Sequence, residues 1–180
     1  MDDNGIRLGC LLVASPELQD PNFARCVVLI INHDDEGSFG LVLNRPLGRT
    51  LAEVLPDLAP GATEVPVLQG GPVQTEMLQL VSRTEGAGRV IVPNLSVGAP
   101  LDEALDSPAG LKDMRAYLGY SGWGAGQLEQ ETGSGGWIIA PARAEHVFEV
   151  PSDELWITVL RELGGPYAWM ALGEGDPTNN

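Results

Sequence analysis

Cations are scarce in this sequence: Lys112 is its only lysine, and ten basic residues stand against 25 acidic ones for a formal charge of -15. Nucleic-acid affinity rests on Lys and Arg side chains that neutralise phosphates, so an acidic chain with no basic run lacks the footprint of a DNA or RNA binder. An anionic membrane surface is disfavoured for the same reason. Histidine is nearly as rare, with only His33 and His146 present, which leaves a serine nucleophile little choice of base. Long apolar runs are missing too: the longest, Cys26 to Ile31, falls far short of the roughly 20 residues that a membrane-spanning helix needs. The opening Met1-Asp2-Asp3-Asn4 is acidic where a secretory signal would be basic, so we expect a cytoplasmic protein. Cys10 and Cys26 sit in apolar stretches without C-x-x-C or His-rich metal spacing and read as small buried hydrophobes rather than a disulfide.

What is present suits a packed domain. The 180 residues are 43% hydrophobic and 19% charged, enough apolar material for a core and far from the composition of disorder. No repeat or linker divides the chain, so residues 1–180 read as a single domain. Glycine and proline together make up about a fifth of the chain, against roughly one-eighth in average usage, so elements must be short and turns frequent.

Strand-like segments dominate. Leu8 to Ala14, Cys26 to Ile31 and Phe39 to Leu43 come first, the last two joined by the turn Asn32 to Gly37. Val65 to Gln69, Met77 to Ser82, Val90 to Val92, Ala116 to Tyr120, Trp137 to Ala140 and Val147 to Val150 follow. Thr50-Leu51-Ala52-Glu53 has the pattern of a capping box, opening a helix that Pro56 keeps short. Asp153 and Glu154 precede an apolar stripe of Leu155, Trp156, Val159, Leu160 and Leu163 that stops at Gly164-Gly165, which predicts a C-terminal helix. The tail from Gly173 to Asn180 is polar and is expected to fray. The pattern predicts an α+β fold: a strongly bent, mostly antiparallel sheet forming a pseudo-barrel, flanked by a few short helices and one C-terminal helix.

No catalytic motif is complete. Gly119-Tyr120-Ser121-Gly122-Trp123 approaches a nucleophile elbow but has tryptophan where that motif needs its second glycine. His33, Asp34, Asp35 and Glu36 are ligand types, yet sequence neighbours cannot all face one ion, and a solvated turn is the better reading. The glycines of Gly122 to Gly126 precede a helix start, but no phosphate-loop lysine follows and Glu129 and Glu131 would repel an anion there. No metal or cofactor is expected.

The blocks Leu11 to Pro16 with Asp20-Pro21-Asn22-Phe23, His33-Asp34 with Gly37, Gly40 to Pro46, Gly70-Gly71-Pro72-Val73, and Gly119 to Trp123 with Gly126-Gln127-Leu128-Glu129 occur in an order that resembles the YqgE/AlgH family. Trp137 and Ala140-Pro141 complete the resemblance, which spans roughly residues 9 to 165. It implies a compact fold with a bent sheet closing toward a pseudo-barrel, in a bacterial cytosol. One branch of that family carries the name of a proposed transcriptional regulator of alginate synthesis, and the resemblance implies no reaction or cofactor. Family members often carry a histidine after the strand that follows the Gly-Gly-Pro turn, whereas that neighbourhood of this chain reads Met77-Leu78-Gln79-Leu80-Val81-Ser82.

Two functional expectations follow. The first is a non-enzymatic regulatory or interaction protein, binding a protein partner or small ligand through a cleft that gathers Asn44, Arg45, Gly70, Gly71, Tyr120, Trp123, Gln127 and Glu129. Aromatic, amide and Arg side chains beside turns suit recognition more than proton transfer. The alternative is an enzyme that uses carboxylates such as Glu129 or Glu131, with or without a recruited metal.

Overall fold

The computed structural model describes residues 5–83, 88–106 and 110–173. The chain begins with β1 (Cys10–Ala14), β2 (Val27–Asp34) and β3 (Gly37–Val42), then β4 (Pro46–Thr50), α1 (Leu51–Val54), β5 (Pro66–Gln69) and β6 (Val73–Ser82). Next come β7 (Arg89–Val92), β8 (Leu95–Val97), α2 (Leu101–Leu105) and the long β9 (Met114–Gly124). The chain continues through α3 (Gln127–Gly133), β10 (Trp137–Pro141), α4 (Ala144–Phe148), α5 (Leu155–Leu163) and α6 (Gly165–Gly173).

These strands form one ten-stranded sheet in the order β10-β1-β2-β3-β9-β6-β8-β7, with β5 pairing both β4 and β9. All pairings are antiparallel except β5 with β9, and the sheet curls into a half-barrel, so the bent antiparallel α+β architecture expected from the sequence is the observed one. Bulges between Ile30 and Asn32 and between Val73 and Leu78 add the local twist that such curling requires. The chain between β5 and β6 gives β9 a neighbour on each edge, because Ala116 pairs with both Val67 and Leu80.

Both faces of the sheet are covered. Leu11, Val13, Leu29 and Leu41 pack with Tyr117, Trp156, Val159 and Leu160 on one side, while Cys10, Leu12, Val28 and Ile30 pack with Trp123, Leu128 and Trp137 on the other. That is why β1 and the first half of β2 are continuous apolar runs rather than alternating ones. A third cluster around Leu51, Val65, Leu80 and Met114 fills the far end.

The capping box forms as the sequence predicts: the Thr50 backbone N–H donates to Glu53 at 2.7 Å, and α1 ends before Pro56. Two expectations are corrected. Val147 to Val150 is not a strand; Val147 and Phe148 lie in α4, whose start is held by the Arg143 backbone N–H donating to His146 Nδ1 at 3.0 Å. A second C-terminal helix, α6, follows α5 directly, because the chain re-enters a helix at Gly165 instead of leaving the fold. The polar tail beyond Gly173 lies outside the described residues. β4 and β8 were not anticipated, the first being exposed along most of its length and the second only three residues long. Cys10 and Cys26 are buried free thiols.

Candidate functional site

The Gly-Gly-Pro turn places the candidate residues. Gly70 extends β5, its N–H donating to Leu118 O at 2.7 Å, while its carbonyl accepts the Val42 N–H at 2.8 Å and the Ser121 hydroxyl at 3.2 Å. The chain then crosses β9 to start β6 on its other edge, where Val73 pairs with Tyr120. No side chain fits at the crossing. A Cβ on Gly71 would lie 2.2 Å from the Tyr120 carbonyl, and one on Gly70 would lie 2.4 Å from Gly119 O.

Beside this crossing, Asn44 and Arg45 are bonded to the β1–β2 connection. Asn44 accepts the Val27 N–H and donates to Arg25 O, both at 3.0 Å. The Arg45 guanidinium donates to Ala24 O at 2.6 Å and borders a small hollow of about 210 Å³ shared with Asn22, Gln69 and Gly71. Asn44 closes a strand end with two backbone bonds, and one face of Arg45 is already committed.

Tyr120 faces a different space. Its ring meets Phe39 edge-on at 5.4 Å between centroids, a geometry favoured by the aromatic quadrupoles. Both line an open groove of about 450 Å³ with Ile31 and Met77, bordered by Asn32, Gln74, Gln79 and Arg89. Phe39 and Met77 are each 43% exposed, so this groove shows apolar surface that the fold leaves uncovered. Among its lining residues only Arg89 is charged, and it donates to Ile31 O at 3.3 Å.

Trp123 serves the interior, and the exposed Gln127 braces the start of α3. Trp123 is buried, and its indole N–H donates to Glu131 Oε2 at 2.8 Å; Trp137 donates to the same oxygen at 3.0 Å. Gln127 bridges the Gly124 N–H at 3.0 Å and Glu131 Oε1 at 3.2 Å. Glu129 instead approaches His33 Nε2 at 3.6 Å, and the other ring nitrogen of His33 is 2.7 Å from Ser38 Oγ. Next to it Asp34 has its carboxyl held below the usual range by the Glu36 backbone N–H and the Asn32 amide.

The eight candidates therefore form neighbouring but separate groups along the β3–β9 seam. Arg45 and Gly71 border the small hollow, Tyr120 lines the groove, and Trp123 and Gln127 join through Glu131. Among the described residues, no set of three or more His, Cys, Asp or Glu side chains is placed to hold a metal ion, and no helix is long and apolar enough to cross a membrane.

Residues 11–168 match the model of a family described as AlgH-like. The chain belongs to the AlgH-like family. It is 38% identical over 190 residues to a UPF0301 protein of Streptomyces coelicolor, covering 96% of this chain and 94% of that one. A UPF0301 protein of Thioalkalivibrio sulfidiphilus is 37% identical over 162 residues, with 85% and 87% covered. Among solved structures, a protein of Corynebacterium diphtheriae is similar with a TM-score of 0.77, 27% identity and 95% and 94% coverage. The AlgH protein from Pseudomonas aeruginosa is similar with a TM-score of 0.72, 31% identity and 93% and 94% coverage.

In this AlgH-like chain Ser121, His146 and Glu131 are bound into structure, whereas the His33–Glu129 pair is partly exposed. Ser121 is fully buried with its hydroxyl on Gly70 O. His146 accepts the Arg143 N–H at Nδ1, so its Nε2 carries the proton and donates to Glu162 at 2.8 Å. Glu131 is occupied by two indoles and an amide. Sequence reasoning missed Phe39 and Met77 as groove residues, since each reads as an ordinary strand hydrophobe. The bulge that sets Met77 beside Tyr120 has no local marker apart from Gln74, which takes a positive φ of 45°.

Proposed function

We propose that this AlgH-like protein is a cytoplasmic, non-enzymatic recognition protein that exerts a regulatory effect through a partner protein. One observation carries the reading: Ser121, His146 and Glu131 are held by hydrogen bonds within the fold, whereas Phe39, Met77 and Tyr120 line an uncovered groove rimmed by amides. Exposed apolar surface with a polar rim marks interaction sites, and aromatic side chains supply much of the binding energy in such contacts. A charge of -15 selects an uncharged or basic partner segment and disfavours direct contact with nucleic acid. Any role in transcription would then pass through the partner.

Affinity capture from host lysate with wild-type bait beside a Phe39→Ser/Tyr120→Ser variant tests this reading, followed by titration of the purified partner. The expected result is one protein lost with the variant and bound by wild type with at least tenfold higher affinity. Equal affinity for both baits, or turnover in a broad substrate screen, would refute it.

A further inference from the structure

Arg45 is a cation that the fold leaves without a carboxylate. Arg83 pairs with Glu149 and Arg143 with Glu162, whereas among the described residues no carboxylate lies within ion-pair distance of Arg45. Its one side-chain bond to the protein runs from Nη2 to the Ala24 carbonyl at 2.6 Å. Charged groups withdrawn from water are ordinarily paired. In a chain with 25 acidic residues against ten basic ones, a half-buried guanidinium with no acid beside it is the exception. A guanidinium also carries several N–H donors in a planar fork, and the Ala24 carbonyl occupies only part of it.

The surroundings of Arg45 suit an anion. Its backbone lies beside Gln69, whose N–H donates to Arg45 O at 2.8 Å, and its side chain reaches Ala24 on the β1–β2 connection. The hollow of about 210 Å³ is lined from both of these places, by Gln69 and Gly71 and by Pro21 and Asn22, so the side chain spans it. Asn22 and Gln69 are exposed, and among the described residues neither side-chain amide has a hydrogen-bond partner. No acid borders the hollow; Asp20, two residues before Asn22, turns its carboxylate to the Asn22 backbone N–H at 2.9 Å.

Charge and size narrow the ligand. A planar fork of donors matches the oxygens of a carboxylate, and bonds between charged partners are the stronger ones. The chain's charge of -15 repels a dianion about twice as strongly as a monoanion. At about 30 Å³ per liquid water, 210 Å³ holds a carboxylate on a short stem rather than a nucleotide. We propose that this hollow binds a small monoanionic carboxylate, its oxygens on the Arg45 guanidinium and the amides of Asn22 and Gln69 at its rim. The hollow shares no lining residue with the Tyr120 groove, so the site stands apart from any partner protein bound there.

Acetate is the probe, with acetamide as its uncharged isostere and inorganic phosphate as the more highly charged anion. Each is titrated into the full chain at one ionic strength, set with sodium chloride, while backbone and side-chain amide NMR shifts are followed. Acetate is expected to give saturable shifts at the Asn22 and Gln69 side-chain amides and the Gly71 backbone amide, with acetamide at least about tenfold and phosphate at least about threefold weaker. Arg45→Lys keeps the charge but removes the fork, and should weaken acetate about fivefold. Asn22→Ala/Gln69→Ala changes only exposed side chains and should weaken it about threefold. Equal affinity for acetamide, equal or tighter binding of phosphate, or unchanged acetate affinity in Arg45→Lys would overturn the proposal. So would unsaturable shifts spread over the surface, the mark of an adventitious ion only. Should Arg45→Lys not fold, the acetamide comparison and Asn22→Ala/Gln69→Ala decide, and unchanged affinity in that double variant overturns the site.

Discussion

Trp123 on β9 and Trp137 on β10 share one hydrogen-bond acceptor, Glu131 Oε2, at 2.8 and 3.0 Å, and their rings meet nearly perpendicular with centroids 5.9 Å apart. β9 and β10 are not adjacent in the sheet, so this carboxylate, delivered by α3, joins strands that the ladder does not. Phe23 closes the cluster with centroids 6.1 and 5.6 Å from the two indoles.

Glu131→Ala should therefore destabilise the protein by about 2–4 kcal/mol, since it strips two indole N–H groups of a charged acceptor. Glu131→Gln keeps one acceptor oxygen and should cost less, about 1–2 kcal/mol. Urea melts followed by tryptophan fluorescence measure both. Equal stability of wild type and Glu131→Ala would show that the clamp contributes nothing.

Asn44→Ala removes two backbone partners, Val27 N–H and Arg25 O. A loss of about 1–3 kcal/mol is expected, because the freed groups lie at a partly buried strand end. Hydrogen exchange at the Val27 amide gives a local readout and should rise in the variant. An unchanged exchange rate would place the amide's protection elsewhere.

The turn glycines should differ sharply. Gly71→Ala puts a methyl 2.2 Å from the Tyr120 backbone, and the crossing can open only by displacing β9, so a cost above about 3 kcal/mol or failure to fold is expected. Gly126→Ala meets open space and strains only its backbone at φ 73°, for about 1–2 kcal/mol. Thermal melts of the two variants side by side test the ranking.

Stability should decline in alkali. Burial pushes the Cys26 thiol from its ordinary 9.0 up to about 12 against the opposing pull of Arg45, and burial raises Cys10 as well. The unfolded chain loses these protons first, so the thiols' contribution is complete below the ordinary value and is lost as pH rises toward the folded one. Tyr117, also raised by burial, adds to the decline at still higher pH. Denaturant midpoints between pH 8 and pH 11 should fall, and Cys10→Ala/Cys26→Ala should fall less steeply. The same burial predicts that iodoacetamide labels neither thiol at pH 8 until urea is added.

The apolar runs at Leu11 to Ala14 and Val27 to Ile30, the Thr50–Glu53 capping box and the stripe from Leu155 to Leu163 were legible because their determinants are local: side-chain period, a cap three residues away, a glycine stop. The acidic balance likewise needs no fold to disfavour nucleic acid. Phe39, Tyr120 and Met77 were not legible as one surface, since they meet only where β3 and β6 flank β9 and a bulge resets the register. Helix α4 contradicted its own strand-forming residues because His146 and Arg143 close its first turn. Asn44, Trp123 and Gln127 carry binding-type chemistry in the sequence, yet each spends it on bonds within the fold. Local pattern thus determined the elements and the charge, while only long-range pairing decided which polar groups are satisfied inside and which surfaces remain open.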